Sequence, residues 1–451
     1  MTDSPRAPSA RTLALLTRSA LAALALGAGA GSAHALDVVA VKTQVDQAFA
    51  TDYPGHLQGL YEDIHRHPEI SFQEARTAAK LAAEMRALGF TVTEHVGKTG
   101  IVAIYHNGPG PMVMVRTELD ALPMEEKTGL PYASRDKQTW NGHETFVAHT
   151  CGHDVHMTAW VETAKDLVAM KDKWHGTLMF IGQPSEETVG GAKAMIADGL
   201  FTRFGKPDYG FAQHVGNSAY GTISYKAGVY SSNSDSLDIT FNGRGGHGSR
   251  PSVTIDPILM ASRFVVDVQS VISREKEPAA FGVVTVGAIQ SGSVGNIIPD
   301  NAILRGTIRS YDQDVREKMW AGIERTAKAE AEMAGAPAPE VTITRGAESV
   351  VNDAGLAERT GKVFKAAFGD DARVMPSAQS ASEDYSEFIT AGVASLYYAL
   401  GGYDPAKIAE AKATGVPLPS NHSPYFAPVP EPSIKMGTEA MTLAVLSVLG
   451  D

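Results

Sequence analysis

The sequence is poor in cysteine and in positive charge. Cys151 is the single cysteine among 451 residues, so no disulfide bond can form within the chain. Lys and Arg number 39 against 51 Asp and Glu, and the formal net charge is −12. Because no basic run is present, this balance argues against nucleic acid and anionic membrane as partners. Beyond Ala35, no apolar run is long enough to cross a bilayer, so we expect no membrane association of the mature protein.

The N-terminus has the features of a secretory signal peptide. Three arginines precede a Leu/Ala-rich stretch at residues 19–30, and Ala33-His-Ala35 offers a small-x-small cleavage site. A permanent membrane span is the alternative, which the short, glycine-interrupted stretch disfavours. We therefore expect residues 1–35 to be removed near Ala35 and the mature protein to be periplasmic or secreted.

The lone cysteine lies in the stretch His149-Thr-Cys-Gly-His-Asp-Val-His156, just before a predicted amphipathic helix. Thiolate and imidazole are the donors that hold zinc-like ions, so this stretch is a candidate metal site. A buried thiol beside surface histidines is the plainer interpretation. In an exported protein, a single cysteine set among histidines favours a chemical use.

Predicted apolar strands run into polar side chains at three places, namely at Asp120, at Glu186-Glu187 and at His214. In an open α/β sheet, ligands bind outside the carboxyl ends of the strands. Adjacent residues of an extended chain point to opposite sides, so one glutamate can bind a metal ion while the other faces a bound water. That arrangement suits hydrolysis, because the metal lowers the pKa of the water and the free glutamate takes its proton. A solvated acidic turn is the alternative, and His422 gains interest only as a further ligand.

The order of predicted elements indicates an α/β fold of two domains. An α/β pattern runs over residues 36–232 and resumes over 347–451, which predicts a larger catalytic domain with a mixed central sheet. Between them, residues 233–346 follow the order β-α-β-β-α-β, the ferredoxin-like plan. We therefore predict an α+β domain inserted into the larger one.

Three polar residues of the insertion are candidates for ligand contact. His247 lies in Gly245-Gly-His-Gly248, where glycines let a ligand approach the backbone closely. A phosphate-binding loop is the competing interpretation, but the Lys-Ser/Thr ending of that motif is absent. Asn296 and Arg309 adjoin apolar strands. A guanidinium group suits a carboxylate, and an ordinary ion pair on the sheet surface is the alternative for Arg309.

Taken in order, these motifs resemble the M20 metallopeptidase family, in particular its amidohydrolase branch of aminoacylases, hippurate hydrolases and hydrolases of indole-acetyl amino acids. The resemblance covers nearly all of the predicted mature chain. The motifs that carry it are His65-Arg-His-Pro-Glu69, Leu119-Asp-Ala-Leu-Pro123, Cys151-Gly-His-Asp-Val-His156, Glu186-Glu187, Gly245-Gly-His-Gly248, Asn296-Ile-Ile-Pro299, Glu383-Asp384 and Asn421-His-Ser-Pro424.

The resemblance implies a binuclear site for two divalent metal ions, zinc or manganese, with cobalt or nickel as alternatives. The implied ligands are Cys151, His153, Glu187, His214 and His422. The cysteine replaces a bridging carboxylate of other branches, so its thiolate would lie between the two ions. Glu186 is implied as general base and acid, and Asp120 as the group that orients a histidine ligand.

The resemblance also implies that the insertion is a lid and dimerisation domain, so a homodimer or higher oligomer is expected. His247 would stabilise the tetrahedral oxyanion, within its own chain or from the partner subunit. Asn296 and Arg309 would hold the α-carboxylate of the substrate. Two departures from the family pattern are Glu118, where a shorter Asp is usual, and the longer segment 134–145, whose Trp140 and His143 are expected near the acyl pocket.

We therefore expect a metal-dependent amidohydrolase that cleaves N-acyl amino acids or related short conjugates. A carboxypeptidase or dipeptidase shares every metal residue and is the alternative among enzymes. A non-catalytic, metal-dependent binder of amino-acid conjugates is the alternative of another class. The intact Glu186 argues against a binder, since binding requires no base.

Overall fold

The computed structural model describes residues 36–450, so the predicted signal peptide lies outside the described residues. The α-helices are α1 (Val38–Asp52), α2 (Gln58–Arg66), α3 (Ala75–Ala87), α4 (His153–Ala169), α5 (Gly191–Ala197), α6 (Leu200–Phe204), α7 (Pro257–Asp267), α8 (Gln313–Met333), α9 (Ala354–Phe368), α10 (Ser386–Thr390), α11 (Pro405–Thr414) and α12 (Pro430–Leu449). Within the described range, none of them has both the length and the hydrophobicity that a bilayer span requires.

The strands are β1 (Thr91–Val96), β2 (Gly100–Asn107), β3 (Met112–Glu118), β4 (Lys137–Trp140), β5 (His143–Phe146), β6 (Gly176–Gln183), β7 (Tyr209–Ala219), β8 (Ile223–Tyr225), β9 (Gly228–Val229), β10 (Asp235–Asn242), β11 (Gly246–His247), β12 (Gly282–Gln290), β13 (Ile297–Ile298), β14 (Asn301–Ser310), β15 (Glu340–Arg345), β16 (Val351–Asn352), β17 (Ala372–Val374) and β18 (Ala394–Tyr403).

The larger sheet has eight strands in the order β1-β2-β6-β3-β7-β18-β8-β17. Strands β6, β3, β7 and β18 pair in parallel, whereas β1, β2 and β6 pair antiparallel, so the sheet is mixed as predicted. The parallel strands are apolar along most of their length because helices cover them. Trp160 of α4, Phe180 of β6 and Leu443 of α12 belong to one buried core.

The smaller sheet has four antiparallel strands in the order β12-β14-β10-β15, with α7 and α8 packed on it. Its core is separate and includes Phe241, Phe264 and Ile323. The element order β10-α7-β12-β14-α8-β15 is the predicted ferredoxin-like plan, and the α/β fold with such an insertion is therefore confirmed. The domain boundaries at 36–232, 233–346 and 347–451 stay a prediction.

Helix α4 is buried along almost its whole length, and this burial encloses two carboxyl groups. Neither oxygen of Glu162 has a hydrogen-bond partner among the described residues. Burial, together with the charge of Asp166, raises the pKa of Glu162 to about 8. Burial and the charge of Asp52 likewise raise the pKa of Asp166 to about 8. Both carboxyl groups are therefore protonated in the folded protein at neutral pH.

We expect the free energy of unfolding to fall as the pH rises from about 4 to about 8. The folded-state pKa of Glu162 and of Asp166 lies above the ordinary values of 4.5 and 3.8, so the folded protein binds more protons across this window. The pair should cost on the order of a few kcal/mol once both groups ionise. Denaturant unfolding at pH 5, 7 and 9 measures the slope. The double variant Glu162→Gln, Asp166→Asn should flatten it, and an unchanged slope would contradict the assignment.

Candidate metal centre

Three parallel strands bring the predicted carboxylates and one histidine to a common edge. Strand β3 pairs in parallel with both β6 and β7, so the ends of these strands lie side by side. Asp120 follows β3, Glu186 and Glu187 follow β6, and His214 lies within β7. The structure thus places these four residues together at the edge where parallel sheets bind ligands.

The Asp120 carboxylate holds the Glu186-Glu187 loop. It accepts the backbone N–H groups of Glu186 and Glu187, each at 3.0 Å, and the Ser71 hydroxyl at 2.7 Å. His153 Nδ1–H donates instead to the backbone carbonyl of Asp120 at 2.7 Å, while Asp120 Oδ1 lies 3.7 Å from that nitrogen. Asp120 thus contacts a histidine ligand as expected, but it does so through its main-chain carbonyl and not through a hydrogen bond of its carboxylate.

Cys151 and His153 flank Gly152, at the point where α4 begins. Gly152 has a left-handed backbone with φ of 90°, and a Cβ placed there would lie 2.4 Å from Val215 Cγ1. This turn therefore requires glycine. The turn delivers the thiol and one imidazole to the strand edge, where Cys151 Sγ lies 3.3 Å from His214 Nε2.

The five predicted ligands form two overlapping groups of donor atoms that share Cys151. One group consists of Cys151, His153 and His214, and its donor atoms lie within 4.8 Å of one another. The other consists of Cys151, Glu187 and His422, with the same spacing. His422 Nε2 lies 3.2 Å from Glu187 Oε2. Two donor groups joined by one sulfur have the composition of a two-metal site.

Unpartnered donor atoms show that these residues fit metal ions. His153 Nε2 and Glu187 Oε1 are buried, and neither has a hydrogen-bond partner in the described part of the chain. Buried polar atoms normally have one. The Nδ1–H groups of His153 and His214 donate to the backbone carbonyls of Asp120 and Val215, so each Nε2 keeps its lone pair. Thiol, imidazole and carboxylate donors in this arrangement suit divalent cations.

Backbone strain is concentrated beside the candidate ligands. Ser185, Val189 and His422 have φ values of 52°, 56° and 67°, in a region that residues other than glycine seldom adopt. The Ser185–Val189 turn carries both glutamates and is closed by the Val189 N–H, which donates to the Glu186 carbonyl at 2.7 Å. Such conformations persist only where surrounding contacts enforce them, and they fix the direction of the side chains they carry.

Glu186 is buried beside further carboxyl groups. One of its oxygens lies within 4.8 Å of carboxylate oxygens of Glu383 and Asp384, whereas Glu187 faces His422. Burial, together with the charges of Glu383 and Glu187, raises the pKa of Glu186 well above its ordinary value. The two adjacent glutamates therefore have different surroundings, although they lie in a turn and not on the extended chain from which this difference was predicted.

A cavity of about 710 Å³ lies over these residues. Its lining combines the candidate ligands with residues of the smaller sheet, among them Ser236, Thr307, Arg309 and Thr344. Cavities of about 300–1,000 Å³ suit small-molecule ligands. The cavity is therefore bounded by both sheets and has the volume for a small substrate.

Arg309 lines this cavity from β14 with a guanidinium group that lacks a full set of partners. Its Nη1 is buried without a hydrogen-bond partner among residues 36–450, and burial lowers its pKa. Arg345, also in the lining, instead donates to Glu348 at 2.6 Å and to Gln313 at 2.9 Å. Arg309 is thus placed where a ligand carboxylate can pair with it.

His247 and Asn296 lie together but away from the cavity. His247 lies in β11, which pairs with β13, and Asn296 directly precedes β13, where its carbonyl accepts the Gly248 N–H at 2.8 Å. Both residues are exposed, and neither lines the cavity. Within one chain, therefore, the structure does not bring Asn296 to Arg309 or His247 to Glu186. The two predictions hold only where these residues act on a partner subunit's site.

The longer segment 134–145 forms most of the β4–β5 hairpin and does not line the cavity. Trp140 packs against a small apolar cluster that contains Ile70 and Ala121, and His143 is exposed. Neither side chain lines the cavity, although Trp140 packs against Ala121, the neighbour of Asp120, so a role of this segment in an acyl pocket stays a prediction.

Sequence reasoning assigned no role to a buried charge network behind the centre. Arg116 Nη2 donates to Glu383 at 2.7 Å and to Asp384 at 3.3 Å, and Nη1 pairs with Glu118. Glu118 in turn accepts the Nδ1–H of His156 at 2.9 Å. A signal was present, because Arg116 and Glu118 stand two residues apart on an apolar strand and so share one face. Charges on a buried strand require partners.

Comparison with known proteins agrees with the fold and with a site for two metal ions. The sequence profile of peptidase family M20/M25/M40 matches residues 114–445. A hippurate hydrolase of Campylobacter jejuni is 39% identical over 270 residues, which are 59% of this chain and 67% of the relative. Thermostable carboxypeptidase 1 of Saccharolobus solfataricus is 33% identical over 390 residues, which are 85% and 93% of the two chains. A solved dinuclear metal-binding M20 peptidase of Bacillus subtilis is 25% identical, with a TM-score of 0.70 over 90% of this chain and 100% of that structure.

The fold, the donor set and these relatives define a metal-dependent hydrolase of amide bonds with a site for two divalent metal ions. The family within that class is also determined, since one family profile spans most of the described residues. The chain belongs to peptidase family M20, as its ordered motifs predicted.

Proposed function

We propose that the protein hydrolyses the amide bond of N-acyl amino acids or related short conjugates. The observation that carries this proposal is the position of Arg309, which lines the same cavity as Glu186 and whose Nη1 has no hydrogen-bond partner among the described residues. An N-acyl amino acid has a free α-carboxylate, which is the anion that this guanidinium lacks. The relative named as a hippurate hydrolase supports the same substrate class.

The metal ligands that we assign are Cys151, His153, Glu187, His214 and His422, on the spacing of their donor atoms. Two divalent cations bound there would lower the pKa of a water molecule and polarise the amide carbonyl. Zinc or manganese fits this mixture of thiolate, imidazole and carboxylate, and cobalt and nickel accept the same donors.

Glu186 moves the proton in this proposal. Its carboxylate takes a proton from the attacking water, and the resulting carboxylic acid gives that proton to the departing amine. Asp120 supports this role because it holds the backbone N–H groups of both Glu186 and Glu187. The Glu187 side chain is directed to His422 and leaves Glu186 as the free carboxylate.

We further propose a homodimer, in which His247 and Asn296 act on the cavity of the partner subunit. Both residues are exposed and neither lines the cavity of its own chain, which supports this assignment. The smaller domain also exposes apolar side chains, including Ile258 and Val266 of α7 and Ile289 of the edge strand β12. In the dimer, His247 would stabilise the oxyanion and Asn296 would support the substrate carboxylate. Light scattering of the purified protein tests the assembly.

We propose export to the periplasm or the medium, on the signal-like sequence before Leu36. Residues 1–35 lie outside the described chain, so this proposal rests on the sequence. Cell fractionation with N-terminal sequencing tests it, and a protein that keeps its first residues in the cytoplasm would contradict it.

A metallo-carboxypeptidase or dipeptidase is the second candidate, and the relative named as a thermostable carboxypeptidase favours it. Arg309 would pair with the carboxylate of a peptide equally well. The group on the acyl side of the amide bond therefore decides between the two substrate classes. A non-catalytic binder is the candidate of another class, and the free carboxylate of Glu186 beside the donor set argues against it.

Activity should disappear after dialysis against a chelator and return when zinc or manganese is added, because the five donor side chains then hold metal ions again. The assay is a panel of N-acyl amino acids and dipeptides that share one C-terminal residue, read as free amino acid released. Faster release from the acyl compounds supports the proposal, and faster release from the dipeptides supports a peptidase. Tight binding without release of amine would show a binder.

A further inference from the structure

His156 lies between two candidate ligands but is not placed to be one. Its ring is 4.6 Å from the ring of His214 and 5.5 Å from that of His153, measured between centroids. Both of its nitrogens are occupied: Nδ1 lies 2.9 Å from Glu118 Oε2, and Nε2 lies 2.8 Å from the backbone nitrogen of Val215. A histidine binds a metal through a free nitrogen lone pair, so His156 has a different task.

These two contacts specify one neutral tautomer of His156. The Val215 N–H can only donate, so His156 Nε2 must be the acceptor. The proton of the neutral ring is then on Nδ1 and is donated to Glu118. The other tautomer would set two N–H groups against each other where both residues are buried, and an unpaired buried polar group is costly.

Glu118 can impose this tautomer because it is itself fixed as an acceptor. Its Oε1 pairs with the buried guanidinium of Arg116, whose Nε donates to Gln183 at 2.9 Å. A carboxylate held in this way has no proton to donate, so only Nδ1–H of His156 can complete its hydrogen bonds. The side chains of Glu118 and Arg116 are both fully buried, so bulk water does not reach the pair.

The main chain of Val215 passes this constraint to His214. The N–H of the His214–Val215 peptide donates to His156, and the carbonyl of the following peptide accepts His214 Nδ1–H at 2.8 Å and the Asn421 side-chain amide at 3.0 Å. With Nδ1 engaged, His214 presents Nε2 to Cys151, 3.3 Å away. A shift of the main chain at Val215 would turn the candidate ligand away from the donor atom that it faces.

We propose that Glu118 and His156 are positioning residues that orient His214 for metal binding. They form a strut, which is the chain of contacts from Arg116 through Glu118 and His156 to the backbone N–H of Val215, and this strut fixes one tautomer of His156. The proposal deepens the proposed function and rests on it in one respect, the assignment of His214 as a metal ligand. Neither residue touches the reacting atoms. The strut explains why a buried apolar strand carries Arg116 and Glu118 on one face.

The first test reads the tautomer in metal-free protein. Imidazole ¹⁵N shifts are recorded on protein labelled at histidine, and the His156 signals are identified by their loss in His156→Gln. A proton on Nδ1 and none on Nε2 is expected, and a proton on Nε2 in the natural protein overturns the proposal. This measurement needs neither metal nor substrate, so it stands whether or not amide hydrolysis is found.

The second test is the zinc affinity of Glu118→Gln, measured by competition with a chelator. An amide offers one acceptor oxygen where the carboxylate offered two, so it cannot accept from both Arg116 and His156. The His156 ring that accepts the Val215 N–H is then no longer held in place. The expected change is a 10–100-fold weaker affinity, with kcat restored by excess zinc and KM unchanged. Glu118→Asp keeps the charge but is shorter, so it should weaken zinc binding even if Glu118→Gln fails to fold.

The matched control is Glu162→Gln, the same buried change about 13 Å further along α4 than His153. It should bind zinc like the natural protein. Zinc affinity of Glu118→Gln or Glu118→Asp equal to that of this control would refute the strut. A natural protein that shows the expected tautomer and binds zinc but hydrolyses no amide would refute the proposed function and leave the strut standing.

Discussion

Replacement of Glu186 by Gln is expected to leave both metal ions bound and to lower kcat by about 10²–10⁴-fold. The amide has the shape of the carboxylate but cannot take a proton from water or return one to the leaving amine. The backbone N–H that Asp120 holds is untouched by this change, so the loop should keep its conformation. Metal content by mass spectrometry and kcat at saturating substrate are the two measurements.

The neighbouring substitution Glu187→Gln provides the contrast. Glu187 has a buried oxygen without a partner among the described residues and a second oxygen 3.2 Å from His422 Nε2. The first effect of this substitution should therefore be a loss of bound metal. The two variants therefore separate proton transfer from metal binding at adjacent positions. Full turnover in Glu186→Gln would remove that residue from the mechanism.

Replacement of Arg309 by Met should raise KM for an N-acyl amino acid by about 10²-fold, which corresponds to about 3 kcal/mol. Methionine keeps much of the length of the side chain but cannot pair with the substrate carboxylate in a cavity where burial strengthens that pair. Steady-state kinetics on matched substrates measure the effect. The same substrate with its carboxylate amidated should show little difference between the natural protein and the variant.

Arg345→Met is the control, because Arg345 lines the same cavity but already donates to Glu348 and Gln313. Its KM for the acyl amino acid should stay within a few-fold of the natural value. An equal loss for the amidated and the free-carboxylate substrates in Arg309→Met would show that Arg309 supports the structure and does not recognise the carboxylate.

The elements that bury a clear apolar face were predictable from the sequence. The helix predicted after Cys151 is α4, and the apolar strands predicted to run into Asp120 and Glu186 are β3 and β6. Helix α11 was not predicted, because none of its residues is buried and its sequence has no apolar face. The β4–β5 hairpin was not predicted for a similar reason, since its strands contain only exposed and half-buried residues.

The candidate site was predictable as a set of residues but not as a set of contacts. Motif order indicated the donors that the structure places within 4.8 Å of one another. It could not show that Asp120 supports His153 through its carbonyl. That depends on whether the carbonyl or the carboxylate of Asp120 lies closer to the His153 ring, and the two residues are far apart in the sequence. Nor could it show that Asn296 lies apart from Arg309, because both residues adjoin apolar strands and the sequence pattern around them is alike.

The presence of one sulfhydryl per chain gives the protein a built-in reporter. Cys151 is the only cysteine in the sequence, and its sulfur belongs to both donor groups. An alkylating reagent therefore has a single target, and that target is a candidate bridging atom. Because burial already slows the reaction of this thiol, the difference in alkylation rate between chelator-treated and untreated purified protein reports metal loading before any substrate is known.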